Sequence, residues 1–145
     1  MGLVLTATAE PSSFALGSSV VLRVTLTNQS QSNLWVNRRF GAGYGDGFER
    51  ELYFTLFDSA GKPMPIADDA RTDAHRLPPR REDFVCLHPG AGVSAEVDLA
   101  MWHPLPGPGT YRVVVHYQNE CAGDAFGIHA FTGTLQASPI TFEIR

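Results

Sequence analysis

"PGPGTYRVVVHYQ", Pro106 to Gln118, joins a turn to a strand. Proline and glycine alternate from Pro106 to Gly109, where a helix cannot form and a tight turn can. From there Tyr111, Val113, Val115 and Tyr117 share one face, while Arg112 and His116 fall on the other. A period of two over that length marks a half-buried antiparallel strand. The same rhythm recurs outward from it. Val20, Leu22, Val24 and Leu26 alternate with Arg23, Thr25 and Thr27 in "SVVLRVTLTN"; Val93, Ala95, Val97 and Leu99 alternate in "VSAEVDLA"; Ile140, Phe142 and Ile144 alternate in "ITFEIR". Turn phrases ("AEPSS", "DSAGKP", "HPGAG", "PLPGPG") separate the runs. No helical period, repeat or linker interrupts them. The reading is a single all-β domain over residues 1–145, with strands near 3–8, 18–28, 33–39, 50–58, 81–87, 92–99, 110–119 and 134–145.

The turn carries a further signal. A Gly two residues ahead of a Tyr at a strand start is the layout of a tyrosine corner in immunoglobulin-like sandwiches. Tyr111 is then expected to hydrogen-bond backwards. Val24, Trp35 and Val113 would stand where antibody domains carry Cys, Trp and Cys. The fold expected is an immunoglobulin-like antiparallel β-sandwich of seven to nine strands. Its third and sixth main strands should lie side by side, which requires an odd count; a short strand at 63–67 would supply it. The expected core is Val20, Leu22, Val24, Trp35, Leu56, Val97, Tyr111, Val113 and Phe142.

The chain has 145 residues, 43% hydrophobic and 18% charged, ordinary for a globular domain. A net charge of −4 argues against a general nucleic-acid surface. Ten of eleven basic residues are Arg, with Lys62 the single Lys. No apolar run approaches the roughly 20 residues that cross a bilayer. The first residues read as a strand rather than a secretory signal, so the compartment stays open: cytoplasmic as written, or exported with a signal removed. Asn28-Gln29-Ser30 is a glycosylation sequon, meaningful in a secreted eukaryotic protein.

"RRFGAGYGDGFERE", Arg38 to Glu51, has glycine at Gly41, Gly43, Gly45 and Gly47. A phosphate loop needs a helix N-terminus after it, and "ERELYFTLFD" is a strand. The stretch reads as a connection whose tip, Tyr44 flanked by Phe40 and Phe48, can meet a partner.

Catalytic spacings are missing: no His-Glu-x-x-His, Gly-x-Ser-x-Gly or Cys-x-x-Cys occurs. The histidines are scattered, so no enzymatic activity and no cofactor is expected. Cys86 and Cys121 allow a disulfide, and with His88 and His129 a zinc site, although the spacing fits no known module. Two unlinked thiols are the default.

Partner-binding candidates fall into two groups. The sandwich end expected to gather the glycine loop, the Arg71–Arg81 segment and "MWHPLPGP" offers Phe40, Tyr44, Arg71, Arg76, Arg80, Arg81 and Trp102, combining the aromatic and Arg types common in hot spots. That end is the expected contact; the alternative is the opposite end, with the long 119–133 connection carrying Phe126, Ile128, His129 and Phe131, either as a contact patch or folded back to cap the sandwich.

"EDFVCLHPG", followed by "VDL" and "PGTYRV", with upstream "VVLRVTLTNQSQSNLWV" and closing "FTGTLQASPITFEI", resembles the non-catalytic β-sandwich region of deuterolysin-like (aspzincin) metallopeptidases. More loosely, the chain resembles the intracellular proteinase inhibitor class of immunoglobulin-like domains. The zinc-binding helix of those peptidases is absent from these residues, so no catalytic position carries over. The resemblance implies a non-catalytic module that binds another protein, plausibly a peptidase inhibitor or accessory domain acting in trans. The alternative is a carbohydrate-binding or adhesive module. Pairing with a copy of itself through an edge strand is a third reading.

Overall fold

Alternation in Leu3–Thr8 (β1), Val21–Asn28 (β3) and Gly92–Asp98 (β8) puts one apolar row on each strand, and the three pair antiparallel in the order β1-β3-β8. The computed structural model describes residues 2–43, 51–64, 78–101, 103 and 105–145. A second sheet is built around Gly109–Asn119 (β9). Leu52–Phe57 (β6) pairs along one side of it; Gly133–Gln136 (β10) and Ile140–Ile144 (β11) share the other. The short strands Ser13–Phe14 (β2) and Ala42–Gly43 (β5) add in parallel to β11 and β6. The chain is an all-β sandwich. Among the described residues there is no α-helix, only 3₁₀ turns such as Arg81–Asp83, Leu99–Met101 and Asp124–Phe126, and nothing long and apolar enough to cross a membrane as a helix.

The apolar rows meet between the sheets. Leu22, Val24 and Leu26 of β3 share one core with Leu52, Phe54 and Leu56 of β6, Val113, Val115 and Tyr117 of β9, and Phe142 of β11. Most are wholly buried, and truncating such a leucine to Ala costs about 2–5 kcal/mol. Of the expected core, Val20, Leu22, Val24, Leu56, Tyr111, Val113 and Phe142 are there. Val97 is only half-buried, because β8 is the outer strand of its sheet.

Trp35 is not in that core. Leu34–Asn37 (β4) pairs with Phe84–Leu87 (β7) as a separate two-stranded sheet, opposing Trp35 to Cys86. Val36 points into the main core, so its neighbour Trp35 faces outward into a satellite cluster with Phe84, Ile128, Ala130 and Cys121. The strand beside β9 is β6, not the Trp35 strand, so the expected odd strand count does not follow. The 63–67 strand reduces to a bridge between Pro63 and Phe57, with 65–67 outside the described residues. The 134–145 strand divides where Ala137 N–H bonds to Val115 O, between β10 and β11.

The Tyr111 hydroxyl donates to the Gly107 carbonyl at 2.7 Å, the backward bond expected from the turn. Asn28, the sequon residue, is fully buried, and its Nδ2 donates to the carbonyls of Ser32 and Leu87 at 2.7 and 2.8 Å. That nitrogen is unavailable to a glycan.

Candidate partner-binding site

The long connection after β9 is folded onto the protein by one side chain. Asn119, 3% exposed, donates through Nδ2 to the carbonyls of Cys121 (2.8 Å) and Phe131 (2.6 Å), and its Oδ1 accepts from Cys121 N–H at 3.2 Å. Asn37 of β4 donates to the same Oδ1 at 3.2 Å. Within the connection, Gly123 and Gly127 bracket the Asp124–Phe126 turn at φ +84° and +71°, a region open to glycine and strained for other residues. Phe131 N–H then bonds to Trp35 O, laying the returning chain beside β4.

That return seats Ile128 and Ala130 on the outer face of the β4–β7 ladder, against Trp35 and Phe84. Phe126 is left 39% exposed with its ring 6.2 Å from that of Phe84. At the other margin the 3₁₀ turn before β7 is fixed by Asp83, whose Oδ2 accepts Arg80 N–H at 2.7 Å. Arg38 N–H donates to Asp83 O, tying this turn to the end of β4. The turn holds the Arg81 guanidinium 5.4 Å over the Trp35 ring. Cation and ring attract there by about 0.5–1 kcal/mol, while the Arg81 N–H groups stay available at the surface. No carboxylate pairs with Arg81 among the described residues; exposed Arg80 meets Glu82 at 3.4 Å. The result is a surface patch of one oriented cation and clustered aromatics, on a loop held at both ends.

The two candidate groups were expected at opposite ends, and the structure brings members of both together. Arg81 lies over Trp35 and Phe126 against Phe84 of the same cluster, with Arg80 and exposed His129 next to them in the chain. Ile128 is 5% exposed and acts as an anchor of the loop; Phe131 is half-buried and packs toward Tyr117. The capping alternative therefore holds for these two, while Phe126 stays outward. Phe40 is a correction. At φ +52° its backbone turns back, and its ring, 7% exposed, packs edge-on to Tyr117 in the core. Tyr44, Arg71, Arg76 and Trp102 lie outside the described residues.

Just past the end of β4 lies an ion pair missed in the sequence, its Glu51 side chain 4% exposed and its Arg39 side chain 21%. Arg39 donates through Nε and a terminal nitrogen to the two oxygens of Glu51 at 3.0 and 2.8 Å, and Gly41 N–H donates to the same carboxylate. Burial first, then the Glu51 charge, hold the nearby Tyr117 hydroxyl well above the ordinary phenol range, and that hydroxyl donates to Asn37 O at 2.8 Å. A lone Glu before a strand gave no sign of this role.

Cys86 and Cys121 are free, half-buried thiols, not a disulfide. Among the described residues no three of His, Cys, Asp and Glu gather as a cation site, so the Cys86, His88, Cys121 and His129 set does not assemble. His88 instead bonds Asn33 through Nδ1 at 3.0 Å. On the outer face of the second sheet Tyr53 and His116 stack at 4.4 Å, only 3° from parallel. Compared with known proteins, the chain matches no family model and no curated protein.

Proposed function

We propose that this protein is a non-catalytic binding module on an immunoglobulin-like sandwich, recognising another protein through the Arg81–Trp35–Phe126 patch. The observation that carries this reading is the Arg81 guanidinium stacked over Trp35 beside an exposed Phe126. Arginine and aromatic side chains dominate binding hot spots, and both are pre-positioned here, which lowers the ordering cost of association. The Tyr111–Gly107 bond and the passage of the first strand from one sheet (β1) to the other (β2) support the immunoglobulin-like assignment. The resemblance to the sandwich region of aspzincin peptidases favours a peptidase, or a domain attached to one, as the partner class.

The carbohydrate reading is weaker. A sugar platform needs open aromatic faces, and one face of Tyr53 is covered by the His116 imidazole. Affinity capture from native extract with the wild-type chain and an Arg81→Ala/Phe126→Ala variant tests the proposal, followed by titration of the captured protein. Loss of binding by about tenfold or more in a folded variant supports the patch. Equal affinity removes it, and glycan binding abolished by Tyr53→Ala would restore the rival.

A further inference from the structure

Among the described residues, the backbone hydrogen bonds of β8 are all made on one side. Asn28 N–H donates to Ala91 O at 2.9 Å, and Leu99 N–H to Val20 O at 2.8 Å. Between these points the register runs from Val21 opposite Asp98 to Thr27 opposite Gly92. Antiparallel partners alternate between pairs that exchange both bonds and pairs that exchange none. Leu22, Val24 and Leu26 are thus turned toward β8 and bond to Val97, Ala95 and Val93. The intervening Gly92, Ser94 and Glu96 direct their N–H and C=O groups to the free edge. No backbone hydrogen bond reaches that side of them among the described residues. Gly92 and Glu96 are exposed and Ser94 is half-exposed, so the edge is open.

Other edges are poorer templates: β4, β7 and β10 are four residues long against seven for β8. β2 and β5 are two residues long. On β1, Gln29 N–H donating to Gly2 O sets the phase, so Leu3 and Leu5 carry the outward amides, and both residues are only 4% exposed.

An open edge accepts another strand, and the β8 sequence suits its own copy. In a two-fold antiparallel pairing centred on Ala95, Ser94 faces Glu96 of the second copy, Gly92 faces Asp98, and Val93 faces Val97. Residues with outward amides then meet one another, as the bonded pairs require. The Ser94 hydroxyl, 2.7 Å from Thr25 Oγ1, stands opposite a carboxylate it can donate to. Asp98 already accepts Val20 N–H and Ala100 N–H, which tempers its charge. Sliding two residues one way sets Glu96 against Glu96, a repulsive pair. Sliding the other way leaves Asp98 unpaired. The centred register keeps every outward-facing residue of β8 within the ladder and avoids the Glu96–Glu96 pair, and so is the favoured one.

We infer that β8 is a self-association edge, and that two copies join their three-stranded sheets into one continuous sheet of β1-β3-β8 and its two-fold mate. This rests on the backbone and is independent of the Arg81 patch.

Sedimentation velocity from micromolar to millimolar concentration, with wild type and Ser94→Pro, tests it. Proline removes an N–H that faces outward, which edge strands tolerate. The wild type is expected to dimerise and Ser94→Pro to weaken dimerisation about tenfold or more. Hydrogen exchange on the wild type decides independently of that variant's folding: the Ser94 and Glu96 amides should slow as concentration rises. A wild type monomeric throughout overturns the inference, as does a folded Ser94→Pro that dimerises equally. Protection gained only on adding a foreign extended peptide would assign the edge to another occupant and overturn self-pairing.

Discussion

Asn37 and Asn119 are buried side by side, with Nδ2 of the first donating to Oδ1 of the second at 3.2 Å, and this amide pair joins β4 to the end of β9. Through it the two-stranded ladder, the long connection and the second sheet become one unit. Asn119→Ala removes the donor to Cys121 O and Phe131 O and leaves buried groups unsatisfied. A loss of about 2–3 kcal/mol is expected in urea unfolding. Exchange at the Ala130 and Phe131 amides should accelerate more than exchange in β3. Uniform acceleration would mean the loop is held by other contacts.

Tyr111→Phe isolates the corner bond, since the ring stacked on Phe142 remains. Stability should fall by about 1–2 kcal/mol. Thermal unfolding is the measurement, and an unchanged Tm would assign the corner no stabilising part.

Arg39→Ala removes the guanidinium from the buried Glu51 carboxylate, which keeps the Gly41 N–H, and should cost about 1.5–3 kcal/mol. Arg80→Ala breaks an exposed pair with Glu82 and should cost about 1 kcal/mol or less. Equal losses for the two variants would contradict this contrast in burial.

Stability should fall on acidification. Burial holds the His116 imidazole below its ordinary 6.5, so the folded chain takes up that proton less readily than the unfolded one. The contribution is complete above pH 6.5 and is lost as pH falls through the folded value. Replacing His116 with Gln should flatten the slope of the urea midpoint against pH below 6.5. An identical slope in the variant would assign the acid sensitivity to carboxylates.

Strands with one apolar row, such as β3, β6 and β9, were legible because only one phase buries the row. β4 was not. "LWVN" is apolar on both phases over four residues, so alternation alone could not decide whether Leu34 and Val36 or Trp35 faced the core. Nor does periodicity name a strand's neighbour: the Trp35 strand pairs with β7, and β6 lies beside β9. Phe40 was misread for a local reason, since a positive φ reverses a side chain that the surrounding glycines suggested was exposed. The Arg81–Trp35 contact joins distant parts of the chain through that ladder, so Trp35, taken for core, is the member of the patch that alternation alone does not show.

Tyr117 of β9 pairs with Leu52, and Arg112 with Phe57, so β6 finds its ladder partner about 60 residues further along the chain. At roughly 5–20 residues per second of synthesis, β6 waits on the order of 3–12 s before β9 exists to meet it. Leu52, Phe54 and Leu56 pass that interval without the strand that will bury them. A nascent chain stalled ahead of Gly109 should therefore hold a second sheet that has not formed, and should depend on ribosome-associated chaperones until β9 emerges.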